Sequence, residues 1–160
     1  MNPVHFHLLL NHVPIVATFI GTLVCIASFI FKDQNVRKIG LGLFVLSALV
    51  AIPVYLTGES AEEAIEHLPG INENLIDKHQ DAAAIFIWLI SALGVVALFA
   101  LVTDVLKRNF SAKFAHAIAL IVSVVVLVMA YQLGNSGGQI RHSEITTSAQ
   151  SNFIEEQDSD

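Results

Sequence analysis

The sequence predicts an all-α protein, a four-helix transmembrane bundle with up-down topology and both termini on the outer side. Of its 160 residues, 54% are hydrophobic and only 14% are charged, whereas average soluble domains carry about 25% charged residues. The charges are absent from four long runs and concentrated between them, and the basic residues favour two of the connections. A soluble core of this size does not need such segregation, but a membrane protein does.

Each charge-free run is long enough to cross a bilayer, since about 20 helical residues cover ~30 Å of hydrocarbon. Lipid offers backbone groups no hydrogen-bonding partner, so we expect helices. The third and fourth runs also lack the alternation of a barrel strand. The predicted spans cover about residues 8–31, 39–57, 82–103 and 114–134, within a transmembrane domain of residues 1–146; a polar tail at 147–160 is expected to be disordered.

The first run is interpreted as a retained helix and not as a cleaved signal peptide. No Lys or Arg precedes Lys32, whereas a signal peptide has a positive n-region and a short apolar core. Pro14 removes one backbone hydrogen bond and is expected to bend this helix near Leu10. After the second span, Ser60 and Glu63 have the spacing of a capping box, which predicts a short separate helix between spans two and three.

The basic residues set the predicted orientation. The positive-inside rule places the loops between spans one and two and between spans three and four in the cytoplasm, so the N-terminus, the loop at 58–81 and the tail face outward. We therefore expect a multi-pass protein of a bacterial inner membrane. The net charge of −6 lies mostly on the outer side and argues against nucleic acid as a partner. Six of the eight basic residues lie in these two loops: Lys32, Arg37, Lys38, Lys107, Arg108 and Lys113.

Most histidines fall at the predicted outer ends of the spans, which alternate in direction and therefore meet. His12 lies about one turn inside the apolar boundary, where polar side chains usually face the bundle interior and serve function. His79 and His142 lie just outside this boundary and are candidates for the same site. His116, at the opposite end, is interpreted as a helix-start residue without a special role. The six outer histidines are His5, His7, His12, His67, His79 and His142; the sequence leaves open whether His5, His7 and His67 take part.

This set of residues suits a b-type haem, which needs one or two axial nitrogens, an apolar slot between helices and a partner for its propionates. The end of the fourth span carries adjacent glycines, which either end the helix or let another group approach its backbone closely. An arginine that follows them has the fork geometry that suits carboxylates. The candidate haem-binding residues are His12, His79, His142, Arg141, Gly137 and Gly138.

A metal ion is the rival interpretation. Zinc or copper needs three or four converging His, Cys or carboxylate ligands. The single cysteine, Cys25, lies within the first span and is interpreted as a small buried apolar residue, so the ligands would be imidazoles and carboxylates. The candidate metal ligands are His12, His79, His142, Glu59 and Glu63. In a further alternative the chain is a structural subunit of a respiratory complex, and its histidines are only hydrogen-bonded.

Four segments carry a family resemblance: LLLNHVPI, TGESAEEAIEHLPG, HQDAAA and GGQIRHSEI. They resemble a family of short, uncharacterised bacterial four-helix membrane proteins, over about residues 5–146. The chain is also similar to a broader domain-of-unknown-function family with a His-x-Pro first helix, whose members occur fused to Rieske iron–sulfur and cytochrome c domains. These fusion partners imply that the family takes part in electron transfer, with a haem or quinone role. Relatives carry Glu where this chain has Gln80, which would make an acid at that point dispensable.

The sequence therefore predicts a membrane electron-transfer subunit that binds b-type haem near the outer, periplasmic face, more than it predicts a stand-alone enzyme. The expected partners are the lipid bilayer, quinone, and a periplasmic cytochrome or Rieske protein. A homo-oligomer and a place in a larger complex are both compatible with the sequence. No catalytic residue is assigned, and the alternatives are a zinc- or copper-binding membrane protein and a structural subunit of a respiratory complex.

Overall fold

The computed structural model describes residues 3–64 and 73–141, and this part of the chain forms helices joined by short turns. The helices are α1 (Pro3–Leu10), α2 (Val13–Phe31), α3 (Gln34–Glu63), α4 (Glu73–Val105) and α5 (Asn109–Arg141). Four segments are long and apolar enough to cross a membrane, namely Val4–Phe31, Gln34–Glu63, Glu73–Val105 and Ser111–Ile140. The predicted all-α, four-helix membrane architecture is confirmed, and the side on which the termini lie stays a prediction.

Successive spans run in opposite directions, so polar side chains of different helices meet at the two ends of the bundle. At the first end, His7 near the start of the chain contacts Val54 of α3, and His79 of α4 contacts Ser136 of α5; we call this the histidine end. At the other, Arg37 at the start of α3 pairs with Asp104 at the end of α4; we call this the basic end. Helices of 33 residues are about 50 Å long, so their ends extend beyond ~30 Å of hydrocarbon.

The chain turns between α1 and α2 because of Pro14. This proline lies in the first turn of α2, where its missing N–H is not needed. At the end of α1, the Asn11 N–H donates a hydrogen bond to the His7 carbonyl at 2.9 Å. At the start of α2, the Val16 N–H donates one to the His12 carbonyl at 2.9 Å. The helix is thus interrupted at Asn11 and His12, next to the position where the sequence predicts a bend, and His12 keeps helical dihedral angles.

The second proline, Pro53, lies inside α3 and does not end it. The Thr57 hydroxyl one turn later donates to the Pro53 carbonyl at 2.8 Å, and α3 continues to Glu63. The expected separate helix beginning at Ser60 is therefore wrong for residues 60–63, because the backbone continues α3 without a new cap. The remainder of that expectation, residues 65–72, lies outside the described residues.

The turn at the basic end that joins α2 to α3 has a clear local cause. Lys32 adopts the left-handed conformation with φ of 53° and ends α2. Asp33 then caps α3, because its Oδ1 accepts hydrogen bonds from the Asn35 N–H at 2.7 Å and the Val36 N–H at 3.3 Å. A carboxylate at this position satisfies amides that have no partner inside the helix and interacts favourably with the helix dipole.

The inner faces of the spans pack through one apolar core, while their outer faces remain apolar and exposed. Phe44, Leu41 and Ile90 are fully buried, whereas Val95 and Ile121 are more than 60% exposed. In the most apolar stretch of each span, only 33–39% is buried inside the bundle. Such a surface suits lipid contact and would be a liability in water.

Glycines set the distance between neighbouring helices. A Cβ built on Gly40 of α3 would lie 2.5 Å from Cys25 Sγ and 3.0 Å from the Cys25 backbone nitrogen in α2. A Cβ on Gly94 of α4 would collide with the Cβ of Ala48 in α3. Close packing through small residues is a main source of helix association in lipid. Cys25 is fully buried in this contact, so its interpretation as a small buried apolar residue is confirmed.

Hydroxyl side chains inside the apolar region are paired. Ser47 donates to the Pro14 carbonyl at 2.7 Å and lies 2.6 Å from the Thr18 hydroxyl, which joins α2 to α3. Thr22 donates to the Ser123 hydroxyl at 3.0 Å, which joins α2 to α5. Such interhelical hydrogen bonds contribute on average about 0.6 kcal/mol each in membranes, so they act mainly to fix the register of the helices.

We predict that Gly40→Ala destabilises the bundle, because the new methyl group meets backbone as well as side-chain atoms of α2. Overpacking of this kind costs about 1–3 kcal/mol, and thermal unfolding in detergent would measure it as a lower melting temperature. The matched control is Gly42→Ala on the same helix, where nothing lies within 4 Å of the added Cβ. Equal melting temperatures for the two variants would contradict the proposed close contact.

Candidate functional site

The structure does not place His12 where the sequence analysis expects it. Its side chain is exposed at the turn between α1 and α2, not directed into the bundle. The expectation rested on the depth of His12 inside the apolar boundary, and depth does not determine which way a side chain points around the helix axis. Its assignment as a ligand stays a prediction, but the inward orientation is wrong. His5 is also exposed, whereas His7 is partly buried against α3.

The His7 ring is held by the C-terminal part of α3. Its Nδ1 lies 3.0 Å from the Val54 carbonyl oxygen, and because a carbonyl only accepts, Nδ1 carries the proton and donates. The Thr57 hydroxyl lies 3.5 Å from the same nitrogen. Gly58 faces the ring edge, and a Cβ there would lie 3.6 Å from Cε1. The side chain is thus fixed through Nδ1, with Nε2 on the opposite side of the ring.

The His79 ring of α4 is held in a similar way by α5. Its Nδ1 lies 2.9 Å from Ser136 Oγ. The Ser136 hydroxyl donates its one proton to the Leu133 carbonyl at 2.9 Å, so His79 Nδ1–H is the donor to the serine. A Cβ on Gly137 would lie 3.2 Å from His79 Cε1. α5 continues past its glycines to Arg141, so the helix does not end there, and Gly137 permits a close approach.

The two rings belong to one polar cluster at the histidine end. His7 lies within electrostatic reach of His79 and also of Glu62. The Glu62 carboxylate in turn accepts a hydrogen bond from the Gln80 amide at 2.5 Å. α1, α3, α4 and α5 therefore all contribute to this cluster, and each histidine is fixed by a different neighbouring helix.

The other predicted site residues are not gathered around these rings within the described chain. Glu59 and Glu63 are exposed at the end of α3, and Gly138 has nothing within 4 Å of its Cβ position. Arg141 is the last residue of α5, and His142 lies outside the described residues, as does His67. Among the residues that the structure describes, no group of three His, Cys, Asp or Glu side chains is placed to hold a metal ion.

Sequence reasoning missed several of the residues that the structure brings together. Ser136 received no role, although a hydroxyl next to Gly137 at the end of an apolar run was the available signal. His116 is interpreted from the sequence as a helix-start residue without a role, but it is only 2% exposed and lies within electrostatic reach of Arg37 and Asp104. Asp104 could have been noticed, because it is the one acidic residue in the basic stretch 104–113.

These features define a class: a four-helix membrane protein with a histidine-bearing polar cluster at one end of its bundle. The chain belongs to the family described as Predicted membrane protein (DUF2231), whose model matches residues 3–148. Comparisons with curated proteins and with solved structures find no significant match. The predicted resemblance to a family of unknown function is confirmed, while the fusion to Rieske or cytochrome c domains stays a prediction. Its function must therefore be argued from its residues.

We predict that Ser136→Ala weakens the contact between α4 and α5, because it removes the acceptor of the His79 Nδ1–H. A lost hydrogen bond at such a position costs about 0.5–1.5 kcal/mol, measured as a drop in melting temperature in detergent. Asn135→Ala, at the exposed neighbouring position, is the matched control. If the control lowers the melting temperature as much, the serine does not hold the ring.

Proposed function

We propose that the chain is a membrane electron-transfer subunit that binds a b-type haem at the histidine end, where His7 and His79 would hold it. The observation that supports this most is that two imidazoles from different helices lie at one end of the bundle, each with Nδ1 hydrogen-bonded to the protein. Histidines that bind metals usually donate their other ring N–H in this manner, which fixes the tautomer and the orientation of the ring. His7 takes the place first expected for His12, because His12 is exposed.

Two imidazoles at this end support the proposal. Each ring has a hydrogen bond through Nδ1, to the Val54 carbonyl for His7 and to Ser136 for His79, so Nε2 is the nitrogen that we propose an iron would take. His79 also has a hydrogen bond with the Leu133 backbone. Gly58 and Gly137 face the two rings and add no side-chain bulk beside them. Haem would supply one-electron chemistry, and the chain would bind it, orient it and limit the access of water. Arg141 is the last residue of α5, and we propose that it would pair with the propionates.

The proposed electron partners follow from the predicted location. If the histidine end faces the periplasm of a bacterial inner membrane, a haem there is accessible both to quinone from the lipid and to a periplasmic cytochrome or Rieske protein. Exposed carboxylates, including Glu59, Glu63 and Asp77, surround this end. Such a surface would favour approach of a partner with a positive patch.

The two alternatives have less support. A zinc or copper site would need at least a third ligand in addition to His7 and His79. His142 is a predicted candidate for it, and this residue lies outside the described part of the chain. A structural subunit needs only the hydrogen bonds of the two rings to α3 and α5. The structural alternative gives no reason for two imidazoles at one end of the bundle to be fixed in the same way, with Nδ1 hydrogen-bonded and Nε2 on the other side of the ring.

A reduced-minus-oxidised absorption spectrum of the purified chain, produced with haem supplied, tests the proposal. We expect the α-band of a b-type haem in the native chain, and its loss in His7→Ala and in His79→Ala. His5→Ala, two residues away on the same helix and exposed, should keep the band, as should His12→Ala. A folded native chain without haem would rule the proposal out. About one zinc or copper ion per chain in elemental analysis would then favour the metal alternative.

We also predict that Gly137→Ala lowers haem affinity, because the added methyl group would press against the His79 ring at 3.2 Å. Changes to residues that orient a metal ligand typically reduce affinity 10–100-fold, so a loss of about this size is expected. Gly138→Ala is the matched control, since its Cβ meets nothing within 4 Å. Titration of the haem-free chain with haem measures both. Unchanged affinity in Gly137→Ala would exclude His79 as a ligand held against α5.

A further inference from the structure

The basic end contains an ion pair that is almost completely buried. Arg37 Nη2 of α3 donates to Asp104 Oδ1 of α4, and the two side chains are 10% and 2% exposed. Lys38 lies at the rim with its Nζ 3.9 Å from Asp104 Oδ2, and its side chain is 42% exposed. Removing both charges from water is costly, and one contact between them does not by itself offset this cost.

Three buried polar atoms at this end have no hydrogen-bond partner among the described residues. They are Arg37 Nε, Asp104 Oδ2 and His116 Nε2. Arg37 and Asp104 form an ion pair, and His116 lies within electrostatic reach of both members of this pair. Buried polar groups in proteins nearly always have a partner, and a cluster of exceptions in one place indicates a ligand or water.

An apolar neighbour covers one face of the His116 ring. The ring stacks on Phe29 of α2 with centroids 4.4 Å apart and an interplanar angle of 4°. This contact covers one face of the imidazole and leaves its edge to make polar contacts. α2, α3, α4 and α5 each contribute one side chain around the cluster, namely Phe29, Arg37, Asp104 and His116.

We propose that Arg37, Asp104 and His116 surround an internal water-binding site at the basic end. The ligand must accept a hydrogen bond from Arg37 Nε–H and donate one to Asp104 Oδ2. A cation would be repelled by Arg37 and an anion by Asp104. Water both donates and accepts, and it binds in proteins where two to four polar partners are available.

This site is independent of the haem proposal, because it lies at the opposite end of the bundle from His7 and His79. It makes the basic end a hydrated polar centre in place of a dry structural ion pair. The water would complete the hydrogen bonding of the buried charges, which lowers the free-energy cost of keeping them inside the bundle.

Hydroxyl-radical footprinting of the full-length chain in lipid nanodiscs tests the proposal. Radiolysis of a bound water produces a radical beside the side chains that hold it, so a buried residue is oxidised only if water lies next to it. We expect His116, although 2% exposed, to be oxidised at a rate comparable with that of exposed His5. Phe44, which is fully buried in the apolar core, is the matched dry reference. Oxidation of His116 as slow as that of Phe44 would overturn the proposal.

A double variant, Arg37→Met with Asp104→Leu, tests whether the ion pair holds the water. It removes both charges together and leaves no buried charge without a partner, so it avoids the penalty of a single replacement. We expect oxidation of His116 to fall several-fold while that of His5 is unchanged; an undiminished rate would show that the water is not held by this pair. If the double variant does not fold, the comparison of His116 with Phe44 in the native chain still decides the proposal.

Discussion

The structure depends on one constraint: lipid cannot hydrogen-bond to the peptide backbone. Every amide and carbonyl in the apolar region must find its partner within the chain, and only a helix does this inside a single segment. The long helices, their alternating directions and the short turns between them all follow from it. Pro14 obeys this constraint because it occupies a helix start, where no donor is required.

The same constraint determines how the helices are held together. Water is absent from the apolar region, so the burial of hydrocarbon gives little net attraction between spans, and close packing must supply it. Gly40 and Gly94 bring α3 near its two neighbours, and paired hydroxyls such as Thr18 and Ser47 fix the register. The rest of each span can then present apolar side chains to lipid without weakening the bundle.

Strongly polar side chains are left to the two ends, and the ends differ in chemistry. At the histidine end, two imidazoles are fixed through Nδ1 by groups on other helices, an arrangement suited to holding a ligand. At the basic end, an arginine, an aspartate and a histidine are buried together and share incomplete hydrogen bonding. We propose a cofactor site for the first end and a hydrated charge centre for the second.

The sequence by itself determined the number and approximate position of the spans, because a charge in hydrocarbon is so costly that its absence over about 20 residues is informative. It also indicated an irregularity of the first span near Leu10, since a proline acts on its own helix. Only the tertiary structure decided that His7 and not His12 is partly buried, because this depends on the packing of α1 against α3. The pairings of His79 with Ser136 and of Arg37 with Asp104 join residues 57 and 67 positions apart. Such pairings depend on the rotation and depth of whole helices, which no local pattern in one sequence records.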